Sequence, residues 1–137
     1  MKKINLLSLL LIVAGINISC TGQNNKSEQS VVEKSDEVYV YYFHNTRRCA
    51  TCEAVESESE KAVKELYGDR VKFETYNLEE AAGEEKAEEL GVAGQSLLIV
   101  GGNTKVNITN EGFMNARNNP GKLKQIIKEN IDSMLQE

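Results

Sequence analysis

The chain has 137 residues, room for one domain. With 40% hydrophobic and 27% charged residues it is globular in composition, which argues against an intrinsically disordered chain. A formal net charge of −5, with one His and no Trp, argues against nucleic-acid binding, which needs a basic footprint.

Lys2 and Lys3 precede a mostly apolar run from Ile4 to Ile18. That run is shorter than the ~20 residues a spanning helix needs and fits a secretory leader. It ends at Ser19-Cys20. A Cys so placed resembles the modification site of a bacterial lipoprotein, where the thiol takes up diacylglycerol. Ser19 fits that pattern; Asn17 and Ile18 stand where it prefers Leu and a small residue. Ordinary cleavage and an uncleaved anchor are the alternatives. The expected organisation is a leader over residues 1–19, a polar tether over 20–36 carrying a lipidated Cys20, and a folded domain over 37–137. Such a leader implies a bacterial cell-envelope protein outside the cytoplasm, anchored by lipid in the outer membrane.

Val38 to Phe43 is β-branched and aromatic throughout, so it reads as a central strand buried on both faces. A helix follows, with Val55, Ala62, Val63 and Leu66 on its apolar face and Gly68 at its end. Val71 to Tyr76 alternates as a second strand. Asn77 and Glu80 have the spacing of a capping box, which predicts a short acidic helix from Glu79 to Leu90, weakened by Gly83. The run Glu84-Glu85-Lys86-Ala87-Glu88-Glu89 reads as its solvated face. Ser96 to Val100 is a third, buried strand. Gly101-Gly102-Asn103 signals a hairpin to an edge strand over Lys105–Ile108. A loop or short turn is expected from Phe113 to Asn118. Pro120 then opens a last helix with an apolar stripe of Leu123, Ile126, Ile127, Ile131 and Met134. The order is β-α-β-α-β-β-α: an α/β domain with a mixed four-stranded sheet flanked by helices, its first half a right-handed parallel crossover.

The chemistry concentrates in Arg47-Arg48-Cys49-Ala50-Thr51-Cys52, between the first strand and the first helix. Free amides and the positive end of the helix dipole favour a thiolate there. With Asn45 or Thr46 as cap, Cys49 lies in the first turn as nucleophile. Cys52, one turn deeper, is the resolving thiol. Arg47 and Arg48 either tune the thiolate, contact an anionic substrate, or are solvated charges. His44 is either a proton shuttle or a loop histidine. Three other readings of the pair stay open: a structural disulfide that rigidifies a short loop, half of a zinc site lacking its further ligands, and capture of a metal or metalloid ion. No glycine-rich nucleotide fingerprint is present, so no flavin or nicotinamide site is expected; the redox group is the Cys49–Cys52 pair itself.

The element order and the position of the pair over residues 37–137 resemble the thioredoxin fold. The stretch Gly91-Val92-Ala93-Gly94-Gln95-Ser96-Leu97-Leu98 is similar to the segment leading into its third core strand. More narrowly, the Phe43–Cys52 segment and Asn110-Glu111-Gly112-Phe113-Met114-Asn115-Ala116-Arg117 resemble the nitrophenyl compound nitroreductase subunit ArsF family. That family is associated with bacterial arsenic-resistance operons, and its name implies a share in reducing nitro groups on aromatic arsenicals. Against ordinary thioredoxins the chain departs at four places. Arg48 replaces a Trp, Thr51 a Pro, and Phe43 a buried acid, and Ser96 stands where a cis-Pro faces the disulfide. Loss of that Pro is expected to change the substrate groove and to admit soft ions such as trivalent arsenic.

The expected function is extracytoplasmic thiol–disulfide exchange or electron transfer through Cys49 and Cys52, to a dedicated protein partner. Arg47, Arg48, His44 and Ser96 are the tuning or substrate-contacting candidates. The alternative is binding and delivery of arsenite or copper through the two cysteines.

Overall fold

A computed structural model of the chain describes residues 37–136. The leader, Cys20 and the tether lie outside the described residues.

The described part is an α/β unit built on one mixed four-stranded sheet. Its elements are β1 (Val38–His44), α1 (Ala50–Tyr67), β2 (Val71–Asn77), α2 (Ala81–Leu90), β3 (Ser96–Gly101), β4 (Thr104–Asn107), α3 (Thr109–Asn115) and α4 (Pro120–Leu135). The strand order is β2-β1-β3-β4. β1 pairs in parallel with β2 and antiparallel with β3, which pairs antiparallel with β4.

Strand alternation divides the sheet into two faces. Val38, Val40 and Tyr42 of β1, with Leu97 and Ile99 of β3, meet the apolar sides of α1, α3 and α4. Tyr41, Phe43 and Leu98 face the other way, toward Ala87 and Leu90 of α2. β1 is therefore covered on both sides, as its unbroken apolar run predicts. Gly68 (φ 58°) ends α1. Gly102 (φ 53°) takes the first central position of the two-residue β3–β4 loop, where a positive φ is required.

Two expectations are corrected. The stretch after β4 is not all loop or turn: α3 occupies Thr109–Asn115, and the expected turn is confined to 116–118. The Asn107 side chain starts it, accepting from the Thr109 amide at 3.0 Å and the Thr109 hydroxyl at 2.6 Å. Gly112 lets it approach Val55 and Leu97, whose methyls lie 3.1–3.3 Å from where a Cβ would stand. The capping box at Asn77 also does not form. α2 starts at Ala81, and its N-cap residue Glu80 makes no side-chain capping bond. Asn77 instead closes a local turn. It accepts from the Glu79 amide at 3.1 Å and donates to Glu80 Oε1 at 3.0 Å.

Gly83 has a packing reason inside its helix. A Cβ there would stand 1.9 Å from the Asn77 carbonyl oxygen. Ala gains up to about 1 kcal/mol of helix propensity over Gly, but the clash is with backbone that cannot rotate away. We therefore expect Gly83→Ala to lose about 1–2 kcal/mol net, as other overpacked sites do, read by chemical denaturation. Ser59 gives the opposite case: it is fully buried in α1, and its hydroxyl has no partner among the described residues. Ser59→Ala removes an unpaired polar group and should raise stability by about 1 kcal/mol. An unchanged or lower denaturation midpoint would contradict this.

Candidate active site

The site is built at the carboxyl end of β1. Tyr42, fully buried, donates its hydroxyl to the Cys52 carbonyl at 3.0 Å and ties the first turn of α1 to the sheet. Burial of that phenol pushes its pKa up to about 12, so it keeps its proton and remains a donor at neutral pH. The loop between β1 and α1 is held from the other side by the β2–α2 connection. The Leu78 amide donates to the His44 carbonyl at 2.8 Å. Asn77 Nδ2 donates to Thr46 Oγ1 at 2.9 Å, and the Thr46 amide donates to Glu79 Oε1 at 3.3 Å.

Cys49 and Cys52 come together at the start of α1, with sulfurs 2.6 Å apart and both thiols free. Cys49 is exposed; Cys52 is only 4% exposed. The helix starts later than an Asn45 or Thr46 cap implies. Cys49 itself is the N-cap residue, and its sulfur accepts the Cys52 amide at 3.3 Å. A sulfur in the capping position takes one of the donors that a helix start leaves unpaired. Thr46 is engaged instead with Asn77 and Glu79.

This geometry separates the two thiols. The Cys52 thiol and the Cys52 amide, both directed at the Cys49 sulfur, hold the Cys49 pKa below the ordinary thiol value. Burial, followed by the hydrogen bond to Cys49, pushes Cys52 up. There is consequently a pH range in which Cys49 is thiolate while Cys52 keeps its proton. A group whose pKa is depressed by folding favours the fold above its unfolded value, and that contribution fades as pH falls through the folded value.

The charged candidates sit around this pair in a defined order. Arg48 forms an ion pair with Glu56, one helical face further along α1. Its other terminal nitrogen makes a long contact of 3.5 Å with His44 Nε2. His44 Nδ1 lies 2.9 Å from the Asn45 carbonyl. The network is consistent with one tautomer: Nδ1 donates to Asn45 and the bare Nε2 accepts from Arg48. Arg48 is thus committed to Glu56 and His44, its Nε is buried with no partner among the described residues, and the Cys49 pKa is lowered chiefly by hydrogen bonds rather than by arginine charge. Arg47 is exposed.

Ser96 begins β3, and its hydroxyl donates to the Gly94 carbonyl at 2.9 Å. It shares strand parity with Leu98, which faces α2 rather than α1. The residue that reaches the pair is its neighbour Gln95, whose Oε1 lies 3.4 Å from Cys52 Sγ. Sequence reasoning missed Gln95. Its signal is the register, because Phe43 pairs with Ser96 and the next position along β3's leading loop lies opposite His44, at the pair's end of the sheet.

Among the described residues no group of three or more His, Cys, Asp or Glu side chains is placed to hold a metal ion. Among them no helix is long and apolar enough to cross a membrane.

No protein-family model matches the chain, and no curated protein does. One solved structure, described as that of a malarial protein, aligns with 65% of this chain and 96% of its own at 20% identity and a TM-score of 0.46. A likeness of that degree carries no argument about fold or function.

Two measurements test the separation of the thiols. Iodoacetamide should modify Cys49 first, with a midpoint in pH below the free-thiol value of about 8.5. Cys52→Ala removes the thiol donor and keeps the amide donor, so the Cys49 midpoint should rise toward that value. A midpoint that does not move would show that the Cys52 thiol is not a cause.

Proposed function

We propose that the chain is a thiol–disulfide oxidoreductase of the thioredoxin-like kind, with Cys49 as nucleophile and Cys52 as resolving thiol. The observation that carries this reading is the contrast between the two sulfurs: one exposed and held toward thiolate, the other buried and held toward thiol, in direct contact. Structural disulfides need no such difference. Element order and the pair's place at a strand-to-helix junction support the thioredoxin-like assignment.

The exchange runs in two balanced steps. Cys49 thiolate attacks one sulfur of a partner disulfide, forming a mixed disulfide and releasing the partner's first thiolate. Cys52 then gives its proton to that thiolate and attacks the Cys49 sulfur. A Cys49–Cys52 disulfide forms, the partner's second thiolate leaves, and two electrons have moved to the partner. The reverse sequence oxidises a partner dithiol. Gln95, whose Oε1 lies 3.4 Å from Cys52 Sγ, borders that sulfur during the exchange. The lipoprotein-like leader supports a location of this exchange in the cell envelope of a bacterium. The resemblance to the ArsF family extends the reading to electron delivery for arsenical or nitroaromatic reduction, with the cofactor-bearing catalyst on another protein.

Reduced protein should cleave 2-hydroxyethyl disulfide, and Cys49→Ser should lower that rate by about 100-fold or more, the scale on which a lost covalent nucleophile acts. Cys52→Ser should instead accumulate the mixed disulfide, visible by mass spectrometry. A pair with no reversible couple against glutathione, combined with sub-micromolar affinity for arsenite or copper(I), would replace this reading by ion capture.

A further inference from the structure

A groove of about 600 Å³ opens between the β2–α2 connection, α2 and the loop before β3. Gln95 belongs both to its wall and to the hydrogen bonding of Cys52. Asn45, in the loop that carries the pair, also lines it. Gln95 and Asn45 thus connect the groove to the site, although neither cysteine lines it.

Its lining is apolar below and acidic above. Leu78, Ala87 and Val92 contribute the apolar part, while Glu79, Glu84 and Glu88 supply carboxylates. No Lys or Arg lines it. Glu84 and Glu88 are exposed on α2 and form no ion pair among the described residues. The one basic residue of α2, Lys86, is turned away: it pairs with Glu89 at 2.6 Å and lies over the Tyr41 ring. The negative field at the groove is thus uncompensated by its own helix.

We propose that this groove docks a basic, extended segment of the protein partner, next to the disulfide or dithiol that exchanges with Cys49. This rests on the redox reading above and specifies the partner's chemistry. Charge complementarity argues for a basic occupant. Carboxylates within a Debye length of about 8 Å raise the encounter rate of a cationic segment and repel an acidic one. Specificity then comes as much from that repulsion as from attraction. The apolar floor takes aliphatic stems of lysine or arginine, whose charged ends reach the rim.

The test uses the purified full chain and two synthetic peptides of equal length. Each carries one cysteine as its mixed disulfide with 2-mercaptoethanol, flanked by Lys and Arg in one and by Glu in the other. The basic peptide should exchange about tenfold faster at low salt, and the difference should shrink as salt is added. Flanking charge also alters the peptide's own thiol, so the decisive quantity is how the ratio changes between proteins. E84Q/E88Q should bring the ratio several-fold closer to one; E60Q/E129Q, equal in charge but on α1 and α4, should keep it. A ratio identical in wild type and E84Q/E88Q would overturn the groove while leaving the redox reading standing. A cysteine-free Lys/Arg peptide, followed by fluorescence anisotropy, should bind wild type more tightly than E84Q/E88Q. If that holds while 2-hydroxyethyl disulfide is not cleaved, the redox reading alone has failed.

Discussion

Tyr42 is buried completely in the central strand, and its hydroxyl would cost about 1–3 kcal/mol if left unpaired there. It is satisfied by the Cys52 carbonyl, ten residues on and across the β1–α1 junction. That single bond fixes which residue of α1 lies over the sheet. With Cys52 pinned inward, Cys49 falls three residues earlier, at the exposed lip of the helix. Burial raises the pKa of the phenol, so it is a protonated donor at neutral pH. The rest of the site takes its position from this anchor.

The inequality of the sulfurs follows from the anchor rather than from nearby charge. An N-cap residue sits outside the helical cylinder, with its side chain turned back onto free amides. A residue in the first turn, on the core side, is covered. Cys49 and Cys52 have those two places, so one is exposed and hydrogen-bonded as an acceptor while the other is enclosed and acts as a donor. Arg48 contributes less than its neighbourhood suggests because Glu56 and His44 engage its terminal nitrogens. An ion pair this close to a thiolate limits how far positive charge depresses the thiol's pKa.

Much of the architecture was legible because it rests on periodicity and on residues with narrow conformational roles. The apolar run at Val38–Phe43 marked a strand covered on both faces; Gly68, Gly102 and Pro120 marked an ending, a hairpin and a beginning. What stayed hidden depends on contacts distant in sequence. α3 is under two turns long, too short for a 3.6-residue pattern to stand out, and it exists because Gly112 fits against Val55 and Leu97. Asn77 and Glu80 have capping spacing, but the Asn77 side-chain oxygen accepts from the Glu79 amide in a local turn, its Nδ2 donates to Thr46, 31 residues earlier, and α2 starts only at Ala81. Gln95 is one polar residue in a turn until the pairing of Phe43 with Ser96 sets it beside Cys52. Cys49 as its own cap was obscured by the better capping residues just before it, Asn45 and Thr46, which the strand-to-helix loop uses otherwise.

The tight approach of Gly83 to the Asn77 carbonyl reaches beyond stability. α2 presses on the same residue whose side chain holds Thr46, and Thr46 belongs to the loop leading into Cys49. With no side chain between helix and backbone there is no compressible layer to absorb a shift. α2, the end of β2 and the thiol-bearing loop are thus joined by direct contacts through one residue, Asn77.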